Sequence, residues 1–333
     1  RSFAEKWIEV HKGQFKRLGV IGDWENYYST MSFDAEAQIV RELGKFLKEG
    51  SLYQGFKPVL WSTVEKTALA DAEVEYQDHK SDTIYTSFPV KSSNVKELEG
   101  SEIVIWTTTP WTIPSNVAVC INGDIEYVLV KGANEHFVIA KDLLDACSNR
   151  WGFDLESLGC AQGKDIANIS MAHPLYDRES ILLHGDHVNT ESGTGCVHTA
   201  PAHGLDDYFI CIKNGLESVK ALDNRGLFKE NYGTLSGLST KKGDPVVIDM
   251  LQENEALLAH KQYDHSYPHC WRHKTPVIFM STPQWFISMK KSGLSDGAIN
   301  AIKDVNWEPS WGEERILSML EDRPDWCLSL IHI

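Results

Sequence analysis

The stretch from residue 190 to residue 210, T-E-S-G-T-G-C-V-H-T-A-P-A-H-G-L-D-D-Y-F-I, constrains the fold of this chain more than any other. Gly193 and Gly195 permit backbone conformations that are closed to other residues, so the chain can pass close to a bound ligand there. The following Cys-Val-His predicts a short buried strand, and Gly-Leu-Asp-Asp predicts a turn into a helix. His198 and Asp207 would then lie on opposite walls of one site.

A second stretch, residues 106–116, is rich in hydroxyl groups and reads W-T-T-T-P-W-T-I-P-S-N. Threonine hydroxyls both donate and accept hydrogen bonds, so several in one loop suit a ribose, a phosphate or a bound water. Taken singly, these residues also fit a strand end with a Thr-Pro turn, a helix cap at Asp207 and a core histidine at His198. Together the two stretches indicate a pocket for an amine-bearing, sugar-linked ligand.

The order of predicted elements indicates one domain inserted into another. The length of 333 residues favours two or more folded units. The first 50 residues are predicted to be helical, residues from about 70 to 265 are predicted to be β-rich α+β, and the character changes again after residue 267. Closely spaced strands in the middle segment favour an antiparallel or barrel-like unit.

An amphipathic helix is predicted to follow Phe33 and to stop at Gly50. Its apolar residues recur at helical spacing on one face, which predicts a helix packed on a core. The residues of that face are Ile39, Leu43, Phe46 and Leu47.

The net charge of −15 argues against a general nucleic-acid binder, whose footprint is a positive face. Local RNA contact remains open at Lys241-Lys242 and at residues 272–274.

No long apolar run or charged leader is present, so we expect no membrane association. The scattered cysteines favour a reducing cytoplasm. Because the chain begins with Arg1 and ends in an apolar tail, we expect a piece of a longer protein.

One cluster near the end of the β-rich segment has the residue types of half a zinc site. His269, Cys270 and His273 stand close together in Y-P-H-C-W-R-H-K. No second pair of soft ligands follows at a suitable spacing, so a histidine-rich turn is favoured over a metal site.

These stretches, with three later ones, resemble the isoleucyl-tRNA synthetases over nearly the whole chain. The later ones are Y-P-H-C-W-R-H-K-T-P, T-P-Q-W-F-I-S-M and R-P-D-W-C-L-S, and all stand in the family's order. The synthetases for valine and leucine look like T-T-R-P-E-T or T-T-R-P-D-T in the threonine loop and have no V-H-T-A-P. Trp111, where they carry an acid, and His198 therefore select the isoleucine branch. Many relatives carry C-x-x-C where this chain reads S-T-V-E-K, which removes a zinc site there.

The resemblance implies an α+β fold in which a β-rich, barrel-like editing domain is inserted into a partial Rossmann-type α/β catalytic domain. Residues 65–268 would form the editing domain. Residues 1–64 and 269–333 would be the two pieces of the catalytic domain.

The resemblance also implies roles for the site residues. Asp207 would pair with the α-ammonium group of a valyl ester, and His198 would limit the side-chain space and help to position a water. Thr107 and Thr108 would act with them in catalysis. The further ligand contacts implied are Trp106, Thr109, Trp111, Thr112, Asn116, Gly193 and Gly195.

The function implied is removal of valine from the 3′ end of mischarged tRNA(Ile), and of valine from valyl-adenylate, without metal or cofactor. The full enzyme would join isoleucine to tRNA(Ile) with ATP and magnesium, as a cytoplasmic monomer. Neither H-I-G-H nor K-M-S-K-S occurs in the sequence, so we expect no synthetic activity from this chain. The alternatives are a non-catalytic tRNA-docking or structural insert, and editing of another amino acid, which the threonine loop disfavours.

Overall fold

The computed structural model describes residues 1–132, 135–321, 323 and 325–328. Two compact units are formed by Arg1–Gly55 with Trp285–Leu328, and by Phe56–Gln284. The helices are α1 Ser2–Arg17, α2 Phe33–Lys48, α3 Leu144–Trp151, α4 Leu205–Lys213, α5 Thr240–Glu253, α6 Leu294–Ile302 and α7 Trp311–Glu321. The strands are β1 Leu52–Ser62, β2 Thr67–Ala68, β3 Val74–Ser92, β4 Glu102–Thr107, β5 Ala118–Ile121, β6 Glu126–Lys131, β7 His136–Ala140, β8 Glu156–Gln162, β9 Ser170–Ala172, β10 Glu179–His184, β11 Val197–Thr199, β12 Leu257–Cys270, β13 Ile278–Ile287 and β14 Trp326–Cys327.

The unit that contains both ends of the described chain is mainly helical. Its helices are α1, α2, α6 and α7, and the last residues of β13, Phe286 and Ile287, pair antiparallel with β14. The described residues of this unit do not include the parallel sheet of a Rossmann domain, so the Rossmann-type assignment of the flanks stays a prediction from the resemblance. The domain boundaries at residues 64/65 and 268/269 also stay predictions.

Helix α2 is confirmed, but its predicted packing is wrong. The Ser32 hydroxyl accepts a hydrogen bond from the Ala35 N–H at the start of the helix, and Gly50 has the left-handed φ of 74° just after its end. None of its residues is buried, and Ile39 and Leu47 are 54% and 60% exposed. The apolar periodicity therefore predicts the helix correctly, whereas its apolar face is largely exposed among the described residues, with Phe46 partly buried.

The larger unit contains a mixed sheet with the strand order β11-β5-β10-β9-β3-β4-β7-β6-β8. The pairs β5–β10 and β4–β7 are parallel, whereas the other pairs are antiparallel. Among the described residues the order ends at β8 and β11, so hydrogen bonding does not close the sheet into the barrel that strand spacing suggested. The mixed α and β character is confirmed.

The sequence predicts separate strands at residues 72–76 and 84–90, whereas the structure has one long strand, β3, whose first half pairs with β12 in a two-stranded ribbon. The pairing runs from Thr86 opposite Leu257 to Val74 opposite Cys270. Sequence reasoning missed β12 and the part of β3 between its two predicted strands. Both segments are polar and exposed along much of their length, so they carry no hydrophobic alternation, and only long-range backbone pairing defines them.

The core of the larger unit lies between the sheet and helices α3 and α5. Its largest fully buried side chains include Trp61, Tyr127, Phe88 and Phe228.

Among the described residues, no helix is both long and apolar enough to cross a bilayer. The sequence also predicts a turn at the Gly-Ala-Asn run of residues 132–134 and a helix that ends at residue 322, before Pro324. These two positions and the apolar tail after Leu328 lie wholly or partly outside the described residues.

The strand order brings the two predicted site stretches together. Residues 108–117 connect β4 to β5, and β11 pairs antiparallel with β5, with His198 opposite Val119. The hydroxyl-rich loop therefore passes beside the strand that carries His198.

Candidate functional site

The hydroxyl-rich loop is held by hydrogen bonds among its own threonines. Strand β4 ends at Thr107, and a short 3₁₀ helix covers Pro110–Ser115. The Thr109 hydroxyl lies 3.2 Å from the Thr107 hydroxyl and 3.4 Å from the Thr112 hydroxyl. Thr112 donates to the Thr109 carbonyl at 2.8 Å. This chain of hydroxyls fixes the loop and leaves the partly exposed Thr108 facing the cavity described below.

The glycine-flanked stretch packs against the loop at positions where only glycine fits. Gly193 and Gly195 have φ of 79° and 74°, which favour glycine strongly. A Cβ atom at Gly195 would lie 2.3 Å from the Cβ atom of Ala140, and one at Gly193 would lie 3.3 Å from the Trp106 ring. The Tyr127 hydroxyl donates to the Gly195 carbonyl at 2.7 Å, which holds this wall in place.

His198 is buried, and both of its ring nitrogens have protein partners. Its Nδ1 atom lies 2.8 Å from the Asn116 amide nitrogen, and that amide also donates to the Ala118 carbonyl. A carbonyl only accepts, so the Asn116 NH₂ group faces both partners, and Nδ1 is the acceptor. Nε2 therefore carries the proton and donates to the Thr112 hydroxyl at 3.0 Å.

The charge state of His198 follows from this burial. Burial, reinforced by His203 and Arg178, lowers the pKa of His198 to about 3, so the ring is neutral at physiological pH. A neutral ring with both nitrogens engaged is a poor general base. The placement suits the predicted role as a wall that limits space.

Asp207 lies in the first turn of α4 but does not cap the helix. The N-cap residue is Gly204, and it makes no side-chain cap. One Asp207 carboxylate oxygen accepts a hydrogen bond from the Ala200 N–H at 2.8 Å. Burial raises the pKa of Asp207, because a charged carboxylate loses water there. A cationic ligand beside this carboxylate would reverse that shift, so the group is suited to bind an amine.

These walls enclose a cavity of about 340 Å³, within the range typical of small-ligand sites. Most of the residues predicted for the site line it. They are Trp106, Thr107, Thr108, Thr109, Thr112, Gly193, Gly195, His198 and Asp207.

Trp111 and Asn116, predicted to contact the ligand, lie behind the wall. Asn116 orients His198, as described above. Trp111 is buried, its backbone N–H donates to the Asp244 carboxyl group at 2.8 Å, and its ring packs edge-on against His203 at 4.8 Å. Both residues position the groups that do line the cavity.

Sequence reasoning missed further residues of the cavity wall, notably His187, Asn189 and His203. Nδ1 of His203 donates to the Phe279 carbonyl at 3.0 Å, and its Nε2 accepts from the Ser115 hydroxyl at 3.0 Å. His203 stands within the A-H-G-L-D-D run, so its position before the aspartates was an available signal. His187 belongs to an ordinary turn, and no local pattern marks it.

A buried pair behind the loop was also missed. The Nδ1 atom of His173 accepts from the Leu175 N–H, so its Nε2 carries the proton and donates to the Ile113 carbonyl at 3.0 Å. Arg178 donates to the Pro114 carbonyl at 2.5 Å. Residues far away in sequence therefore fix the backbone of the hydroxyl-rich loop.

The cluster of possible soft ligands has a different composition from the predicted one. In the described part of the chain, ligand atoms of Glu65, Cys270 and His273 lie within 4.8 Å of one another. His269 does not belong to this group. The Glu65 carboxylate forms an ion pair with Arg272 at 3.3 Å and lies 3.6 Å from Nε2 of His273. That this chain uses no metal stays a prediction.

Known proteins similar to this chain are aminoacyl-tRNA synthetases. Isoleucine–tRNA ligase of Pelagibacter ubique (strain HTCC1062) is 52% identical over 343 residues, which cover 99% of this chain and 38% of the relative. The ligases of Lawsonia intracellularis and Teredinibacter turnerae are 44% and 46% identical, each over 99% of this chain and 36% of the relative. The chain thus spans a little over a third of the length of these relatives.

A solved structure described as the crystal structure of GlLeuRS-CP1 matches 54% of this chain and 99% of its own, with a TM-score of 0.43 and 13% identity. That likeness is too weak to support a conclusion about this chain. The model of the family described as tRNA synthetases class I (I, L, M and V) matches residues 1–331. The chain therefore belongs to the class I tRNA synthetases of the isoleucine, leucine, methionine and valine group.

Proposed function

We propose that this chain carries the editing site of an isoleucine–tRNA ligase and hydrolyses valine from mischarged tRNA(Ile). The observation that carries the proposal is the single cavity that combines a half-buried carboxylate, Asp207, with threonine hydroxyls and the His198 wall. The similarity to isoleucine–tRNA ligases supplies the substrate class. Residues 65–268 would form the editing domain, between two pieces of the catalytic domain.

The need for a second site follows from the size of the substrates. Isoleucine exceeds valine by one methylene, which a binding pocket discriminates by only about 1–3 kcal/mol; isoleucyl-tRNA synthetases are the standard case of this limit. A smaller hydrolytic pocket that admits valine and excludes isoleucine multiplies the discrimination. The proposed site would act in this way.

Asp207 would fix the substrate through its amine. The carboxylate would form a charge-assisted hydrogen bond with the α-ammonium group, which holds the ester carbonyl beside the threonine loop. The Thr108 hydroxyl lines the cavity and would contact the terminal ribose or the attacking water. The other threonine hydroxyls keep the loop in the shape that presents it.

Water is the proposed nucleophile. It adds to the ester carbonyl, the bond to the ribose oxygen breaks, that oxygen takes a proton, and valine leaves as the free acid. Cys196 lines the cavity, but burial raises the pKa of its thiol, which keeps it protonated and unreactive. Burial also lowers the pKa of His203 to about 4, and both of its ring nitrogens are engaged. Catalysis would then come from positioning and electrostatics rather than from a covalent intermediate.

The whole ligase would join isoleucine to tRNA(Ile) with ATP and magnesium. Editing itself would need neither a metal nor a cofactor. We propose a cytoplasmic monomer, and the buried cysteines Cys120, Cys147, Cys196, Cys211 and Cys270, which form no disulfides, fit a reducing compartment.

The direct test is hydrolysis of valyl-tRNA(Ile) and isoleucyl-tRNA(Ile) by this chain. We expect release of valine to exceed release of isoleucine by at least tenfold, because the extra methylene of isoleucine meets the cavity wall. Release is measured from ³H-labelled esters, with the spontaneous rate subtracted. If the chain releases neither amino acid and also fails to bind a valyl-adenosine analogue, the non-catalytic docking role replaces this proposal.

The pH dependence of hydrolysis should report the ionisation of Asp207. Only the carboxylate attracts an ammonium group, so activity falls as the pH drops through the pKa of Asp207. Burial raises that pKa, so the loss should begin at a higher pH than for an exposed aspartate. The measurement is kcat/KM for valyl-tRNA(Ile) between about pH 4 and 7, where free-enzyme groups are reported. The residual activity of Asp207→Asn should show no acid limb, and an identical limb in that variant would contradict the assignment.

A further inference from the structure

A row of aromatic and imidazole rings leads away from the cavity along the β3–β12 ribbon. Trp106, which lines the cavity, meets Tyr263 edge-on at 6.2 Å. Tyr263 contacts His265 at 5.7 Å, and His265 contacts Tyr267 at 5.6 Å. His79, on the other strand, contacts Tyr267 at 5.0 Å. We call Tyr263, His265, Tyr267 and His79 the ring row.

The register of the ribbon places the ring row on one face. Residues that are directly opposite on paired strands share a face, and neighbours along a strand alternate between faces. Tyr263 lies opposite Ser81, His265 opposite His79, and Tyr267 opposite Gln77. From Tyr263 to Tyr267 this face therefore presents only uncharged or imidazole side chains.

The other face of the same ribbon carries the charges. Asp264 lies opposite Lys80 and forms an ion pair with it at 3.9 Å. Asp82 pairs with His260 at 2.9 Å, and Asp78 lies opposite Ser266. In a chain with a net charge of −15, the absence of a carboxylate from the ring-row positions distinguishes that face.

The groups that surround the ring row also suit an anionic ligand. Burial lowers the pKa of His79, and His269, His265 and the exposed Lys241, in the first turn of α5, lower it further. Asp244 lies near Tyr267, and burial raises the pKa of Asp244 to about 7, so part of this carboxyl group is protonated at neutral pH. A phosphate beside the ring row would meet Lys241, and the ring-row positions themselves carry no carboxylate.

We propose that the exposed end of the ring row, at Tyr263, binds the unpaired nucleotides at the 3′ end of the RNA whose aminoacyl group enters the cavity, while the partly buried His265, Tyr267 and His79 support that ring. This inference rests on the proposed function. Bases of single-stranded RNA stack on aromatic side chains, and every base has a face for stacking, so such a surface tolerates different sequences. Continuity with the cavity through Trp106 would lead the strand to its terminal ester. The ring row would thus contribute to binding of the long substrate and not to the chemistry.

The test compares a long and a minimal substrate in the same variants. Tyr263 is 47% exposed, so Tyr263→Ala should leave the fold intact. We expect Tyr263→Ala to lower kcat/KM for valyl-tRNA(Ile) about tenfold, mainly through KM, because a base–aromatic stack is lost. Hydrolysis of valyl-adenosine, which ends at the cavity, should be unchanged. Tyr263→Phe keeps the ring and should restore the activity.

Gln262→Ala is the matched control, because Gln262 is the neighbour of Tyr263 on the opposite face. It should behave like the unchanged chain with both substrates. Binding of an RNA minihelix that ends in an unpaired CCA gives a second readout that needs no hydrolysis. Its Kd should rise about tenfold in Tyr263→Ala and stay constant in Gln262→Ala.

Equal losses on valyl-tRNA and valyl-adenosine, or no loss on either RNA probe, would overturn the inference. If the unchanged chain hydrolyses neither ester, the proposed function fails, and the minihelix decides the ring row separately. Weaker minihelix binding by Tyr263→Ala alone would then still support it, whereas equal binding by all variants would refute it.

Discussion

Replacement of Asp207 with alanine is expected to abolish hydrolysis of valyl-tRNA(Ile) without unfolding the chain. Removing one partner of a desolvated charge pair costs about 2–5 kcal/mol, so kcat/KM should fall at least 30-fold. The fold should survive because the carboxylate accepts one described protein hydrogen bond from another residue, that of the Ala200 N–H. Asp207→Asn keeps the size of the side chain and removes the charge, so it should lose nearly as much activity.

Two measurements separate the charge from other effects. Asp206→Asn is the matched control, because Asp206 is the exposed neighbour in the same helical turn. It should retain full activity. A substrate that lacks the α-amino group should be hydrolysed equally slowly by the unchanged chain and by Asp207→Asn. Full valyl-tRNA hydrolysis by Asp207→Asn would remove the amine-binding role from this residue.

Replacement of His198 with alanine is expected to make the site accept isoleucine. The imidazole is part of the cavity wall, so its loss opens more space than one methylene requires. The ratio of valine release to isoleucine release should fall at least tenfold, mainly because isoleucyl-tRNA(Ile) becomes a substrate. If His198 instead transferred protons, a role that its low pKa disfavours, His198→Ala would stop the release of valine and would still exclude isoleucine.

His198→Leu tests whether bulk or polarity produces the exclusion. Leucine fills similar space without polar atoms, so it should continue to exclude isoleucine. Both variants leave the Asn116 amide and the Thr112 hydroxyl without their imidazole partner, which should cost about 1–3 kcal/mol of unfolding free energy per unpaired group. Urea unfolding measures that cost, and assays are run well below the transition. Isoleucine release by His198→Leu but not by His198→Ala would contradict the size argument.

The residues that give the site its chemistry could be found in the sequence because they stand in short, dense stretches. The threonines, the paired glycines and the aspartate act through their own side chains or backbone freedom, which are local properties. Their assembly in one cavity follows from β11 pairing with β5, next to the β4–β5 connection. That pairing joins segments far apart in the chain, and no local pattern specifies it.

The residues that hold the hydroxyl-rich loop from behind could not be found in the sequence for the same reason. His173, Arg178 and His203 hold the loop through hydrogen bonds to backbone or hydroxyl groups distant in sequence. A histidine in a sequence carries no indication of which nitrogen will be protonated. At His198 the Asn116 amide and the Ala118 carbonyl decide this, and only the folded arrangement supplies them.

The sequence by itself determined the family, the local elements with strong periodicity or capping, and most residues of the cavity wall. The tertiary structure decided the rest: the open rather than closed sheet, the polar ribbon, the uncovered face of α2 and the neutral, fully bonded state of His198. Local patterns reflect interactions within a few residues, whereas strand register, burial and pKa depend on groups that only folding brings together.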